Sequence, residues 1–151
     1  MNRKLNSIFK DKKYNVFSIN ENATIKEAVI VLIDNRIGSL LVLDESENIA
    51  GIFTERDVLK KLASTDGQVG NLKVKELMTD KKDLIIGQDD DKMDYLMQVM
   101  SEHKIRHLPI IKEDGSLLGV LSMRDIIKVL LKESKQRVKF LNDYISGRYP
   151  N

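Results

Sequence analysis

A heptapeptide occurs twice in the chain, first as Gly51-Ile52-Phe53-Thr54-Glu55-Arg56-Asp57 and again as Gly119-Val120-Leu121-Ser122-Met123-Arg124-Asp125. The offset of 68 residues aligns further positions without a gap, among them Val31 with Val99, Ile37 with Ile105 and Leu40 with Leu108. A period well above that of solenoid repeats, present in only two copies, favours a closed pair of like halves related by a pseudo-twofold axis. The sequence therefore predicts that function lies where the two copies meet.

The composition is that of an ordinary globular protein. Of the 151 residues, 42% are hydrophobic and 32% are charged, and a chain of this length is within the size of one domain. The net charge of +2 provides no global field of the kind that a dedicated nucleic-acid-binding protein uses, so any anion site must be local. Cysteine is absent, which excludes disulfides and thiolate chemistry. With no apolar run long enough for a signal peptide or a membrane span, we expect a cytoplasmic protein that does not associate with membranes.

Both halves predict the order strand, helix, strand, strand, helix. The first half predicts a strand at 14–19, a helix at 24–35, strands at 40–43 and 49–53, and a helix at 54–64. The second half predicts a strand at 84–86, a helix entered through 89–91, strands at 108–111 and 117–121, and a helix at 122–132. The predicted fold class is α/β in the broad sense (α+β), with two pseudo-twofold-related β-α-β-β-α repeats in one compact module.

The repeat divides the chain into five segments. They are an N-terminal extension at 1–13, the first repeat at 14–65, a linker with a short helical turn at 66–78, the second repeat at 79–132, and a C-terminal helix and tail at 133–151. In the last segment Val138, Leu141, Tyr144 and Ile145 recur at helical spacing, and Gly147 is the predicted stop. This helix has no copy in the first half, so we expect it to cover an edge of the fold or a partner chain.

Residues 54–57 and 122–125 both carry a hydroxyl followed three positions later by an aspartate. Capping of a helix N-terminus explains the hydroxyl and the acid on its own. It does not explain Arg56 and Arg124, because the helix dipole gives a cation no benefit in the first turn. A hydroxyl at a strand end and a carboxylate at a helix start project to the same side, beside N–H groups at the helix start. That geometry suits a ribose diol on the carboxylate and a phosphate on the arginine and the helix N-terminus.

A second cluster precedes the second strand of the second half. Arg106 and His107 stand where the first half has Gly38 and Ser39. A helix end followed by a strand lets both side chains face a crevice between the copies, where His107 would donate to a phosphate; the alternative is an ordinary surface or interface histidine. His103 lies four residues before His107, but the two fall on different elements, so no zinc site is expected.

The remaining candidate sites are weaker. The acids Asp89-Asp90-Asp91 and Asp94 lack the glycine and distal glutamate of a calcium loop, so we expect them to be charge at a helix N-terminus. Glycine-rich phosphate loops, dinucleotide fingerprints, nucleophile elbows and zinc-helix motifs are all absent from the sequence. Glu55 could be considered as a general base, but the aligned residue in the second half is Met123, so a base is not part of the repeated motif. The sequence therefore predicts no catalytic residue, no metal site and no enzymatic activity.

Together, these motifs resemble those of a tandem pair of CBS domains, named after cystathionine β-synthase. The resemblance covers about residues 14–132, nearly the whole chain. It is carried by Ile37-Gly38-Ser39-Leu40-Leu41-Val42, the heptapeptide at 51–57, Met78-Thr79 and Ile105-Arg106-His107-Leu108-Pro109-Ile110. Leu141, Tyr144-Ile145 and Gly147 are similar to the tail of stand-alone CBS-pair proteins.

The resemblance implies two pseudo-equivalent clefts between the halves, both suited to the adenosine moiety of a ligand of AMP, ADP, ATP or NAD type. No other cofactor is required. Asp57 and Asp125 would hold ribose hydroxyls, with help from Thr54 and Ser122. Adenine would lie against Ala23, Ala28, Ile37 and Val120 in one cleft, and against Asp91, Leu96, Ile105 and Ile52 in the other.

The cleft that contains Asp125 is the favoured one, because it combines the small Ala28 on its wall with the cations Arg106 and His107 at its phosphate end. In the other cleft Leu96 replaces Ala28 and the two cations are missing, although Arg56 could compensate. The predicted nucleotide-binding residues are Ala28, Ile37, Gly38, Thr54, Arg56, Asp57, Arg106, His107, Val120, Ser122, Arg124 and Asp125.

Proteins of this kind typically form flat homodimers, so the resemblance implies a regulatory sensor that changes its shape or its affinity for a partner when nucleotide binds. The sequence does not identify the regulated partner. The alternative is a ligand-free interaction or dimerisation module, in which the hydroxyl-acid motifs only cap helices.

Overall fold

The computed structural model describes residues 5–10 and 16–147. Within these residues the chain forms two compact units. Residues 16–85 make up one, the first-repeat unit, and residues 5–10 with 86–147 make up the other, the second-repeat unit. The N-terminal helix α1 (Leu5–Lys10) thus belongs to the second-repeat unit although it precedes the first repeat in sequence.

The first-repeat unit contains a four-stranded sheet. Its elements are β1 (Ser18–Asn20), α2 (Ile25–Asn35), β2 (Ser39–Leu43), β3 (Ile49–Thr54), α3 (Glu55–Ser64), α4 (Val74–Leu77), β4 (Thr79–Asp80) and a 3-10 turn (Lys81–Asp83). The strand order follows the sequence; β1 runs parallel to β2, while β2 with β3 and β3 with β4 are antiparallel.

Helix α2 begins as the sequence predicts. The Thr24 hydroxyl accepts from the Glu27 N–H at 3.2 Å, and the Glu27 carboxylate accepts from the Thr24 N–H at 2.8 Å, which is the reciprocal bonding of a capping box. The inward face of the helix is buried. It packs with residues of β2, β3, α4 and the loop before α4 in one cluster: Ile25, Ala28, Leu32, Leu40, Val42, Phe53, Val69 and Val74.

The second-repeat unit repeats this plan around a three-stranded sheet. After α1 its elements are β5 (Gly87–Gln88), α5 (Met93–Glu102), β6 (His107–Ile111), β7 (Leu117–Ser122) and α6 (Met123–Ile145). β5 is parallel to β6, and β6 is antiparallel to β7. Its buried apolar side chains include Leu5, Ile8, Phe9, Met93, Leu96, Met100, Leu108, Ile110, Leu121 and Ile126. The predicted mixed α+β class with two β-α-β-β-α repeats is therefore confirmed.

The predicted strand at 84–86 is wrong, because the strand pairing begins only at Gly87, one residue after the predicted strand ends. β5 pairs Gly87 with Ile110 and Gln88 with Ile111, and Ile86 is 48% exposed. A β-carbon at Gly87 would lie 2.7 Å from side-chain atoms of Ile110 and of Leu96, so the glycine permits the close packing of this strand. In the first repeat, β1 starts at Ser18; positions 14 and 15 of the predicted strand lie outside the described residues.

The helix predicted to end near Lys132 instead continues into the predicted tail helix. α6 spans 23 residues without interruption, and neither glycine nor proline occurs between Met123 and Ile145. Gly147 has a φ of 66° just after the helix, as expected of a C-terminal stop. Positions 148–151 of the predicted tail lie outside the described residues, as do 1–4 and 11–13 of the predicted extension.

Strand β4 was not predicted from the sequence. Thr79 and Asp80, which were predicted to belong to the second repeat, pair with Ile52 and Gly51 of β3. Over the described residues, no helix has the length and apolar character needed to cross a membrane.

Candidate functional site

The first candidate site lies where β3 passes into α3. Thr54 ends β3 and pairs with Ser39 of β2, and the Glu55 N–H donates to the Gly38 carbonyl at 3.2 Å. The Asp57 carboxylate turns back and accepts from the Thr54 N–H at 2.8 Å and from the Thr54 hydroxyl at 3.1 Å. The structure thus brings together the hydroxyl, the acid and the strand entrance that the sequence predicts in this repeat, here named the Thr54/Asp57 site.

The electrostatics of this site are set mainly by desolvation. Burial raises the pKa of Asp57, while the hydrogen bonds from Thr54 and the positive charges of Lys60 and Arg56 act in the opposite direction without cancelling it. Both bonds from Thr54 end on the same oxygen, Oδ2. Further donors to this carboxylate, such as two vicinal hydroxyls, would stabilise its charged form.

The second candidate site, the Ser122/Asp125 site, lies where β7 passes into α6. Ser122 ends β7 and pairs with His107 of β6, and the Met123 N–H donates to the Arg106 carbonyl at 2.9 Å. The Ser122 hydroxyl donates to Asp125 Oδ2 at 2.6 Å and accepts from the Asp125 N–H at 3.1 Å, while the Ser122 N–H donates to the same Oδ2 at 3.3 Å. The Asp125 side chain is only 8% exposed. This site is therefore a more enclosed version of the same backbone arrangement.

The other predicted binding residues differ in accessibility. Ile37, His107 and Val120 are half-buried, whereas Arg56, Arg106 and Arg124 are exposed. Ala28 is completely buried in the cluster of the first-repeat unit. The contacts of Ala28 and of the other named residues with a ligand remain predictions. The same is true of the clefts that the resemblance implies between the halves.

The acid run before α5 has a structural role. The Asp91 carboxylate accepts from the Gln88 N–H at 2.8 Å and so closes the turn between β5 and the helix. In the described part of the chain, no three His, Cys, Asp or Glu side chains are grouped in a way that could hold a metal ion.

A second, shorter repeat next to both sites was not predicted from the sequence. Residues 5–13, LNSIFKDKK, align with residues 74–82, VKELMTDKK, and share the Asp-Lys-Lys triplet. The aligned residues Phe9 and Met78 each pack against the glycine that opens a heptapeptide. A β-carbon at Gly119 would lie 2.6 Å from the Phe9 ring, and one at Gly51 would lie 3.0 Å from Met78 Sδ and collide with the Thr79 carbonyl oxygen. The shared triplet was the signal that could have revealed this equivalence.

Comparison with known proteins identifies both repeats. The sequence model of the CBS domain matches residues 10–64 and 74–132. The CBS domain-containing protein CBSX3 of Arabidopsis thaliana, described as mitochondrial, is 34% identical over 128 residues, which are 83% of this chain and 62% of that protein. The chain therefore spans less than two thirds of the length of this relative.

Solved structures show the same fold. A protein of Burkholderia ambifaria, described as a putative signal-transduction protein with CBS domains, is 29% identical with a TM-score of 0.78, over 86% of this chain and 95% of that one. The CBS domain pair of protein MJ0100, crystallised with 5′-methylthioadenosine and S-adenosyl-L-methionine, is 25% identical with a TM-score of 0.67, over 85% of this chain and 99% of that one.

Proposed function

The chain belongs to the CBS domain family, and from that premise we propose that it is a regulatory module whose Ser122/Asp125 site binds an adenosine-containing ligand. The observation that carries the proposal is the enclosed Asp125 carboxylate, 8% exposed and placed beside a hydroxyl at the start of a helix. Binding changes the shape of the protein or its affinity for a partner, and no catalytic step is involved.

The chemistry of the site suits a ribose. A carboxylate with little access to water gains more from two hydroxyl donors than an exposed one, because charge-assisted hydrogen bonds strengthen as the surroundings become less polar. The Ser122 hydroxyl can turn to donate to a ligand, or accept from it, at the same place.

The phosphate end of the ligand would meet positive charge. The N-terminus of α6 favours an anion through its dipole. Arg106 and His107 enter β6 directly beside it, because the Arg106 carbonyl is bonded to the first N–H of α6. The first repeat has Gly38 and Ser39 at the equivalent positions, and for this reason the second repeat is the proposed site.

The ligand class is supported by the MJ0100 pair, whose structure contains two adenosyl compounds. Within that class we propose AMP, ADP, ATP or NAD, because all of them combine a ribose diol with phosphate. Titration calorimetry of the purified full chain with each of these four, and with S-adenosyl-L-methionine, tests the proposal. We expect heat of binding with at least one of them; the absence of binding to all five at millimolar concentration would refute it.

A matched pair of variants tests the choice of site. Asp125→Asn keeps the shape of the side chain and removes its charge, so it should weaken binding by about 10- to 100-fold, as expected for the loss of a hydrogen bond to a charged group. Asp57→Asn makes the same change in the other repeat and should leave affinity nearly unaltered. If Asp57→Asn causes the larger loss, the ligand is bound by the first repeat.

The proposal also includes a homodimer and a cytoplasmic location. Sedimentation equilibrium measures the first, with and without ligand. Fractionation of cells that express the tagged chain measures the second, and it is informative because the Arabidopsis relative is described as mitochondrial.

A ligand-free interaction module is the second candidate. It is favoured by the complete capping box at the Ser122/Asp125 site, in which the hydroxyl already accepts from the Asp125 N–H. In that case Asp125→Asn lowers the free energy of unfolding by about 1 kcal/mol, the usual loss for a helix cap, and no adenosine ligand binds to the wild type.

A further inference from the structure

The dipeptide Asp-Gly occurs twice in the chain, as Asp66-Gly67 and as Asp114-Gly115. Glycine has no β-carbon to shield its backbone nitrogen, so this nitrogen can attack the side-chain carboxyl of a preceding aspartate. The attack leads to isoaspartate, in which the main chain runs through the side-chain carbonyl carbon. Both dipeptides are therefore candidate sites of a covalent modification.

The two dipeptides have similar backbone conformation and exposure. One lies in the exposed stretch 65–68 after α3, and the other in the exposed stretch 112–116 between β6 and β7. The φ angle is 84° at Gly67 and 80° at Gly115. A β-carbon at either glycine would meet no atom within 4 Å. Access to water and free space therefore do not distinguish the two sites.

Hydrogen bonding distinguishes them. The Asp114 carboxylate accepts from the Ser116 N–H at 2.9 Å and also from the Ser116 hydroxyl. The Gly115 N–H donates to the Lys112 carbonyl at 2.8 Å. Both groups that would have to react are thus held in the turn that joins β6 to β7, and they must be released before the nitrogen can attack.

The charge of Asp114 protects it further. The hydroxyl and the N–H of Ser116 lower the pKa of Asp114 below its ordinary value of 3.8. The attack requires a protonated carboxyl, because a hydroxyl group leaves more easily than an oxide ion. A carboxyl that gives up its proton more readily consequently reacts more slowly.

The groups at Asp66-Gly67 are not held in this way. Among the residues that the structure describes, none forms a hydrogen bond with the Asp66 carboxylate or with the Gly67 N–H. The chain is fixed on both sides of the dipeptide, because the Thr65 hydroxyl donates to the Lys61 carbonyl at 2.9 Å and Val69 is buried. An exposed span without hydrogen bonds samples many conformations, including those in which nitrogen and carboxyl meet.

We propose that Asp66 is the residue at which the folded chain isomerises to isoaspartate, while the turn at 112–116 protects Asp114. The Gly67 nitrogen forms a bond to Cγ of the protonated Asp66 carboxyl, and the Cγ–OH bond breaks. The hydroxyl leaves with the amide proton as water, and a succinimide ring remains. Water then adds to the main-chain carbonyl carbon of Asp66, and the bond from this carbon to the Gly67 nitrogen breaks. The nitrogen regains a proton and the freed carbon becomes a carboxyl, so that no atom or electron is gained or lost overall.

The product has one additional carbon in the main chain between α3 and Val69. Beyond Val69 the linker is fixed to the start of α2, because the Lys26 N–H donates to the Gly70 carbonyl at 3.2 Å and the Ile25 N–H donates to the Leu72 carbonyl at 2.8 Å. The span at 65–68 can therefore take up the added carbon, and the packing of the first-repeat unit is retained. This modification goes beyond the proposed function and does not depend on it.

Peptide mapping of the full chain tests the proposal. Folded protein is incubated near neutral pH and digested with trypsin, which releases residues 62–73 and 113–124, each with one of the two aspartates. Chromatography separates the aspartate and isoaspartate forms, which have equal mass, and electron-transfer fragmentation identifies them. We expect isoaspartate to form at Asp66 at least about tenfold faster than at Asp114, because the bonds that hold Asp114 must open first.

The same incubation in concentrated urea is the control for neighbouring sequence. Neither dipeptide is held in the unfolded chain, so the two rates should converge. Equal rates in the folded protein, or faster reaction at Asp114, would overturn the proposal. A difference that persists unchanged in urea would overturn it as well, since the fold would then not be its cause.

Two variants test the chemistry and the protection separately. Asp66→Glu is a change at an exposed position whose longer side chain cannot close the five-membered ring, so residues 62–73 should remain a single species. Ser116→Ala removes one of the two bonds to Asp114 and should speed isomerisation there by about two- to tenfold. A second species of equal mass from Asp66→Glu would place the reaction elsewhere, and an unchanged rate in Ser116→Ala would show that the turn does not protect Asp114. Either result contradicts the proposal.

Discussion

The Thr54/Asp57 and Ser122/Asp125 sites have the same backbone arrangement but differ in the side chains around them. In both, the first N–H of a helix donates to the carbonyl of the residue just before a strand. Glu55 of α3 donates to Gly38, which precedes β2, and Met123 of α6 donates to Arg106, which precedes β6. Yet Asp125 is buried, with its serine hydroxyl at 2.6 Å, whereas Asp57 is partly open, with its threonine hydroxyl at 3.1 Å. Repetition of sequence has preserved the backbone, while the neighbouring side chains have made two chemically different sites.

The segments that cover the two sheets differ as well. Gly51 of β3 faces the backbone of β4, whereas Gly119 of β7 faces the ring of Phe9 from α1. A backbone held in a strand pair has less freedom to move than a side chain. The two glycines should therefore differ in how well they tolerate a methyl group.

The largest predicted effect comes from that difference. Gly51→Ala would drive its methyl group into the Thr79 carbonyl oxygen and break the pairing of β4, so we expect it to lower the free energy of unfolding by about 3 kcal/mol, the upper range for overpacking. Gly119→Ala requires a shift of the Phe9 ring and should cost about 1 to 2 kcal/mol. Urea denaturation of both variants measures the difference.

Gly70→Ala is the control for this pair. A β-carbon at Gly70 would meet only Lys26 Cβ, at an ordinary contact distance of 3.8 Å, so stability should be unchanged or slightly increased. Equal losses at Gly51 and Gly119 would show that β4 and α1 are equally rigid where they contact the two glycines.

The parts of the fold that sequence predicted correctly are those decided by neighbours in the chain. Thr24 and Glu27 predicted the start of α2 because a capping box is complete within four residues. The capping of α3 by Thr54 and of α6 by Ser122 followed from the same local pattern. Where pairing between distant strands decides the structure, as for β4 and β5, local pattern gave no strand at 79–80 and misplaced the one at 87–88.

The candidate sites divide in the same way. The approach of Asp57 to Thr54 and of Asp125 to Ser122 was predictable, because hydroxyl and acid are three residues apart at a helix start. The greater burial of Asp125 was not, because it depends on the packing of its whole unit. The role of Phe9 was missed for the same reason: a short apolar helix does not reveal from its sequence which strand it covers.

A smaller effect should distinguish the two hydroxyls. Ser122→Ala removes a hydroxyl bonded to both the carboxylate and the N–H of Asp125, and should cost about 1 kcal/mol of unfolding free energy. Thr54→Ala removes a longer bond at a more open site and should cost about half as much. Urea denaturation measures both, with Ser64→Ala at the exposed end of α3 as a control of negligible cost. A larger loss at Thr54 would mean that bond length is a poor guide to the strength of these caps.

The smallest predicted effect is the pH dependence of the more open site. Burial raises the pKa of Asp57 above its ordinary value of 3.8, so the folded state holds a proton more tightly than the unfolded state does. The protonated carboxyl consequently stabilises the fold below the unfolded pKa, and this contribution is lost as the pH rises through the folded pKa. Asp57→Asn has no such titration. The free energy of unfolding of the wild type should therefore rise relative to that of Asp57→Asn as the pH is lowered from about 7 to about 3.5. Denaturation of both proteins across this range measures the change, which should be modest because the side chain is partly exposed. A wild type that instead loses stability relative to Asp57→Asn on acidification would contradict this prediction. It would show that the hydrogen bonds from Thr54 and the nearby cations lower the pKa of Asp57 by more than desolvation raises it.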